Sequence, residues 1–276
     1  MRFTDQVVLI TGGARGQGRS HAVEFAREGA DVVVLDLCAP LDVPYPSSTP
    51  ADLDETRRLV EETGRRCIAA QADVRVPAEL EAVVARAVAE LGRIDVLVAN
   101  AGILHNSPIH DLTVDDFERV VATNLGGVFN AVKAVLPVML DQGSGRIIAI
   151  SSMAGRRAYG RACHYAASKW GIIGMIKDIA LDLGTTGITA NVVCPGSVNT
   201  PMAVNDKLVK AFLPAHENPT LDDFRAEMSR FHPQGVPWVE PIDVTRTVLH
   251  LASEAGRHVT GDVLTVSAGM MAQNSS

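Results

Sequence analysis

Tyr165 and Lys169 lie four residues apart in Tyr165-Ala166-Ala167-Ser168-Lys169, a spacing that puts a phenol and an ammonium on one face of a helix. A nearby ammonium favours the phenolate. The pair therefore predicts a tyrosine moved from its usual pKa of about 10 toward neutrality, where it can exchange a proton with an alcohol or a carbonyl. Upstream, Ser152 closes the run Arg146-Ile147-Ile148-Ala149-Ile150-Ser151-Ser152, which is too short for a typical helix and reads as a buried parallel strand. In open α/β sheets ligands bind at the carboxyl ends of strands, so this hydroxyl belongs to the same crevice as the pair. Ser151 competes with it, but successive strand residues point to opposite faces and only one of the two reaches the site.

A binding surface for a dinucleotide is written at the amino terminus. Gln6-Val7-Val8-Leu9-Ile10 reads as a strand, Thr11-Gly12-Gly13-Ala14-Arg15-Gly16-Gln17-Gly18 as a glycine turn, and Arg19 to Glu28 as a helix. Glycines let the backbone turn tightly and approach a pyrophosphate, and the helix start supplies free N–H donors with a partial positive charge. The spacing is T-G-x-x-x-G-x-G rather than G-x-G-x-x-G. A second strand, Asp31 to Leu35, ends at Asp36, where a carboxylate is expected to hold the adenosine ribose hydroxyls and repel a 2′-phosphate. Arg15 could instead meet such a phosphate. The carboxylate decides the expectation for NAD over NADP.

This ordered set resembles the short-chain dehydrogenase/reductase family over nearly the whole chain. Besides the two motifs, the sequence carries Asp73-Val74, Asn100-Ala101-Gly102 after a strand at Ile94 to Ala99, and Asn124 in Thr123-Asn124-Leu125. Pro195-Gly196-Ser197-Val198-Asn199-Thr200 follows a strand at Ile188 to Val193. The resemblance implies a catalytic tetrad of Asn124, Ser152, Tyr165 and Lys169. It places Asp73 and Val74 against the adenine and the Pro195–Thr200 segment, with Pro195, Gly196, Val198 and Thr200, against the nicotinamide. It also implies that Gly12, Arg15, Gly16, Gln17, Gly18, Asp36, Asn100, Ala101 and Gly102 bind the cofactor together with Tyr165 and Lys169.

A narrower resemblance rests on Gly13 to His21, with Gln17 where many relatives carry an apolar residue, on Pro237-Trp238-Val239-Glu240-Pro241, and on the segment 39–50. That segment holds Pro40, Pro44, Pro46 and Pro50, so it is neither regular helix nor central strand and reads as an ordered insertion beside the adenosine site. The chain is similar to the mycofactocin-associated, NAD-dependent alcohol dehydrogenases, of which the carveol dehydrogenases are a named type. The likeness implies NAD that stays bound between turnovers and a mycofactocin-type redox carrier that reoxidises it.

Helix and strand patterns alternate from Val7 to Val266 without a repeat or low-complexity block, which predicts one α/β domain over 1–276. The expected form is a Rossmann-like, doubly wound parallel seven-stranded sheet of order 3-2-1-4-5-6-7, ending in a strand at Asp262 to Ser267 with helices on both faces. The segment 201–236 interrupts the alternation and reads as a substrate lid. Helices near Asp115 to Leu140 and Arg161 to Leu183 carry Gly126, Gly127, Gly171 and Gly174, and in similar proteins such helices meet across a homotetramer interface.

At 276 residues and 47% hydrophobic, the chain can bury a large core. A net charge of −7 gives no footprint for nucleic acid, and no apolar run approaches the roughly 20 residues that span a bilayer. Met1-Arg2-Phe3-Thr4-Asp5 leads straight into the first strand, so a cytoplasmic setting is expected. Cys38, Cys67, Cys163 and Cys194 are scattered, which predicts reduced thiols and no metal. His164 beside Tyr165 faces about 100° away and is not expected to act as a second acid. Arg156, Arg157 and Arg161 read as a solvated cluster. The implied chemistry is reversible oxidation of an apolar secondary alcohol to a ketone. Rival readings are a carbonyl reductase of oxoacyl or ketosteroid type with exchangeable cofactor and, more weakly, a dinucleotide-binding sensor without activity.

Overall fold

The computed structural model describes residues 1–213 and 215–272. The first half runs β1 (Val7–Thr11), α1 (Gly16–Arg27), β2 (Asp31–Asp36), α2 (Pro50–Glu61), β3 (Cys67–Gln71), α3 (Pro77–Leu91) and β4 (Val96–Ala99). It continues through α4 (Val114–Val121), a π-helical segment (Ala122–Gly126), α5 (Gly127–Gln142), β5 (Gly145–Ile150) and α6 (Cys163–Asp182). After β6 (Ile188–Pro195) come α7 (Asp206–Phe212), α8 (Leu221–Phe231), α9 (Pro241–Ala252) and β7 (Val263–Val266). The seven strands form one sheet, all parallel, in the order 3-2-1-4-5-6-7. This is the doubly wound architecture that the alternation predicts.

Period-two geometry explains why the strands are continuous apolar runs. Val7 and Leu9 of β1 and Val33 and Leu35 of β2 enter one core, shared with α3, α5 and α6. Val8, Ile10, Val32 and Val34 enter the other, shared with α1, α2 and α9. Both faces are buried, so alternation of apolar with polar residues would leave polar groups in a core.

Two expectations need correction. The helix expected at 115–140 is not continuous: the π-helical turn at Ala122–Gly126 separates α4 from α5 and carries Asn124 at its centre. Such single-turn bulges are frequent at functional sites. Although no apolar run of about 20 residues stands out in the sequence, the helical stretch 114–142 is long and apolar enough to cross a membrane by length and composition. Its apolar side is accounted for by Val128, Val132, Val135 and Met139, which pack into the core. Within 201–236, α7 and α8 carry a small core of their own. Val209, Leu213, Phe224 and Met228 gather there against Trp238, with Phe224 edge-on to Phe212 at 5.7 Å between centroids.

The small residues of the two long helices also divide. A Cβ on Gly127 would meet Val74 Cγ2 at 2.6 Å and one on Gly171 would meet Leu125 at 2.9 Å, so both serve packing within the chain. Gly174 faces open space.

Candidate active site

One cleft at the carboxyl ends of β1, β2 and β4 is lined by Gly12, Arg15, Gly16, Gln17, Asp36, Asp73, Val74, Asn100, Ala101, Gly102 and Thr200. Gly12 has φ +67°, and a Cβ there would lie 2.8 Å from Ala101 Cα, so the turn needs glycine both for its conformation and for that approach. Helix α1 starts inside the motif at Gly16. Its N-cap, Arg15, makes no side-chain cap, which leaves the first-turn amides facing the cleft as anion donors. Gly18 does not line the cleft. A Cβ there would stand 2.0 Å from Gly12 O and 2.9 Å from Asn100 Nδ2, so its part is to seat the helix against the turn. Asn100 holds that turn from the other side, donating to Thr11 O and Gly12 O at 3.0 Å each.

Asp36 projects from the end of β2. Its Oδ2 accepts from Ala14 N at 3.0 Å and its Oδ1 from Ser48 Oγ at 2.6 Å. Ser48 belongs to the Pro-rich insertion, which the sequence reading put beside the adenosine site. The insertion does not stay beside the adenosine end. Arg15 Nη2 donates to Pro46 O, which ties this arginine to the insertion. Farther along, the Tyr45 hydroxyl accepts from Leu104 N at 2.9 Å. Leu41 and Val43 rest on a cluster of Ile103, Val120, Ala154, Ala162 and Tyr165. The segment is thus a strap that crosses the cleft from Asp36 to the neighbourhood of Tyr165. Tyr45, Ser48, Leu41, Val43 and Met202 are cleft residues that sequence reasoning missed. Tyr45 alone left a trace, as the one aromatic residue among the prolines.

Tyr165 and Lys169 share the inner face of α6, at 8% and 4% exposure. Lys169 Nζ lies 5.6 Å from the Tyr165 ring centroid and donates to Ile150 O at 2.9 Å. The two serines part as strand alternation requires. Ser151 Oγ donates to Lys169 O at 2.8 Å beneath the helix, whereas Ser152 Oγ caps Ala154 N at 3.1 Å and interacts with the Tyr165 phenol. Asn124 is fully buried. Its Oδ1 accepts from Ile103 N at 2.8 Å, and its Nδ2 donates to Ile103 O and Ser168 Oγ at 3.0 and 3.1 Å. Its side chain holds loop to helix.

The expected downward shift of Tyr165 is not what these groups produce. Burial pushes the phenol above its ordinary value, and the interaction with Ser152 only partly offsets it. Burial also lowers Lys169, to about 8. For each group the loss of water outweighs what its polar neighbours return. Pro195 is the last residue of β6, and Gly196 packs on Ser267, 3.0 Å from an added Cβ. With Val198, Tyr165 and Lys169, they stand outside the lining of the cleft, of which Thr200 is a part. His164 is buried with its ring edge-on to His105, 5.7 Å between centroids, and burial lowers its pKa. Arg156 is held by Thr265 at 2.7 Å, while Arg157 and Arg161 are exposed. Among the described residues no group of three or more His, Cys, Asp or Glu side chains is placed to hold a metal.

The likeness to known proteins covers nearly the whole chain. The short chain dehydrogenase family matches residues 6–209. The (-)-trans-carveol dehydrogenase of Rhodococcus erythropolis is 41% identical over 271 residues, covering 97% of this chain and 98% of its own. Among solved structures, a carveol dehydrogenase from Mycobacterium avium in complex with NAD superposes with a TM-score of 0.97 at 42% identity, over 99% of each chain. Levodione reductase superposes at 0.87 with 32% identity, over 99% of this chain and 100% of its own. The matches run over nearly the whole chain, and the chain belongs to the short-chain dehydrogenase/reductase family.

Proposed function

We propose that this protein is an NAD-dependent alcohol dehydrogenase that interconverts an apolar secondary alcohol and its ketone. The observation that carries the reading is Ser152 beside the buried Tyr165–Lys169 pair, with the strap running from the neighbourhood of Tyr165 to Asp36 in the adjoining cleft. The cleft fits a dinucleotide. The glycine turn that admits no Cβ and the uncapped start of α1 suit a pyrophosphate, and Asp36 suits unphosphorylated ribose. NAD supplies the hydride acceptor and, oxidised, a positive ring charge that favours the phenolate. Tyr165 takes the hydroxyl proton at its phenolate oxygen, Ser152 Oγ holds the substrate oxygen, and Lys169 supplies a cation beside them. Asn124 fixes the loop that the reacting groups share. Met202, Ile103 and the apolar cluster under α7 and α8 support an apolar alcohol, with 201–236 as its lid.

The strap contacts favour NAD that leaves slowly and is reoxidised in place by a mycofactocin-type redox carrier. Exposed Phe129 and Leu140 on α5 and Trp170 and Leu181 on α6 favour a homotetramer built on those helices. Four free cysteines suit a reducing cytoplasm. The test is to purify the protein without added nucleotide, assay it for bound NAD, and offer carveol and other alicyclic secondary alcohols with free NAD or with an artificial electron acceptor. Turnover of one of these alcohols is expected, faster with the acceptor. Steady turnover with free NAD and rapid exchange of labelled NAD would discard the trapped cofactor and leave an exchanging dehydrogenase. No turnover in either direction would leave the sensor reading.

A further inference from the structure

The far end of the strap touches more than the rim of the cleft. Leu104, whose N–H the Tyr45 hydroxyl accepts, follows Ile103, and Ile103 is gripped by Asn124 through both its N–H and its carbonyl. The same Asn124 amide reaches Ser168 Oγ, one residue before Lys169. Gly102 closes the circuit: a Cβ there would lie 3.3 Å from Asn124 Oδ1 and 3.5 Å from Lys169 Nζ. Loop 102–104 is therefore clamped between the strap on one side and Asn124 on the other, and Gly102 passes close beside Lys169. Tyr45 is buried, 9% exposed, so the bond is shielded from competing water.

We propose that Tyr45 is a positioning residue for the reaction: its hydroxyl fixes loop 102–104, and through Ile103 and Asn124 it sets the place of Lys169 beside Tyr165. The inference rests on the alcohol dehydrogenase reading above. A strap that only covered the cofactor would govern binding and release. A strap bonded to the loop that Asn124 grips also governs the chemical step, because reacting groups displaced by a fraction of an ångström lose rate without losing affinity.

Tyr45→Phe removes the hydroxyl and keeps the ring. Asp42→Ala removes a different strap contact, the 4.0 Å pairing with Arg119, and leaves Leu104 untouched. With the full-length chain, single-turnover formation of NADH would be followed at saturating NAD and alcohol, using alcohol carrying hydrogen or deuterium at the carbinol carbon. NAD affinity would be measured by calorimetry, and backbone hydrogen exchange of 102–106 by mass spectrometry. Tyr45→Phe is expected to slow the isotope-sensitive step about tenfold, the scale of one hydrogen bond, and to speed exchange at 102–106. Asp42→Ala should change neither. A Tyr45→Phe protein that loses NAD affinity while the isotope-sensitive rate and the exchange at 102–106 stay at wild-type values overturns the proposal. So does a wild-type protein in which 102–106 exchanges as an open loop while 39–50 is protected. If no alcohol is turned over, the proposed function fails, and the exchange measurement still decides whether Tyr45 holds the loop.

Discussion

Ser48 Oγ stands 2.6 Å from Asp36 Oδ1, so the carboxylate at the end of β2 is held from both sides, by Ala14 N on the turn and by the strap. This fixes an acceptor where an adenosine ribose would lie. NAD is expected to bind more tightly than NADP by at least about tenfold. Asp36→Ala should weaken NAD and narrow the gap, because it removes a ribose acceptor and a repulsive charge together. Calorimetry with both nucleotides on nucleotide-stripped protein checks this. Equal affinities in the unmodified protein would assign the choice to Arg15 and the strap.

Removing the phenol tests the proton acceptor. Tyr165→Phe keeps the ring in its cluster with Ile103 and Ala154, so the fold should persist while turnover falls by at least ~10²-fold. Ser152→Ala should follow it. Ser151→Ala should spare the chemistry more and act on stability, by about 1 kcal/mol, since it deletes the buried bond to Lys169 O. Rates and melting temperatures of the three variants decide. A larger rate loss in Ser151→Ala than in Ser152→Ala would mean that the roles are exchanged.

At the glycine turn, Gly18→Ala puts a methyl group 2.0 Å from Gly12 O, a backbone atom that cannot swing aside. The first turn of α1 must then shift away from the turn, at a cost on the order of 1–3 kcal/mol. Lower thermal stability and weaker NAD binding should appear together. A variant with wild-type values of both would show that the turn is more pliant than its contacts imply.

His21 gives the fold an acid limit. It is fully buried between α1 and α9, Nδ1 lies 2.8 Å from Thr245 Oγ1, and burial lowers its pKa to about 3. An unfolded chain takes up the proton near pH ~6.5, well before the folded one does. The stability held by neutral His21 is thus complete above about 6.5 and declines as pH falls toward 3, by about 1.4 kcal/mol per unit at the steepest. Urea unfolding between pH ~8 and ~4 should show this slope, and His21→Asn should flatten it. Identical slopes in the two proteins would remove His21 from the account.

The features legible in the sequence are those whose cause lies within a few residues or in a simple period. Apolar runs such as Val32-Val33-Val34-Leu35 betray strands buried on both faces, and the glycines before α1 mark a turn that leaves no room for a Cβ. The i to i+4 spacing sets Tyr165 and Lys169 on one helix face, and strand alternation separates Ser151 from Ser152. Tertiary structure decided the rest. The strap's reach to Leu104, 59 residues away in sequence, depends on how loops meet above the sheet. The π-helical turn that carries Asn124 interrupts a pattern that would suit a plain helix equally well. The direction of the Tyr165 shift could not be had from spacing, because a neighbouring ammonium and the loss of water act oppositely on a phenol, and only the depth of burial says which prevails.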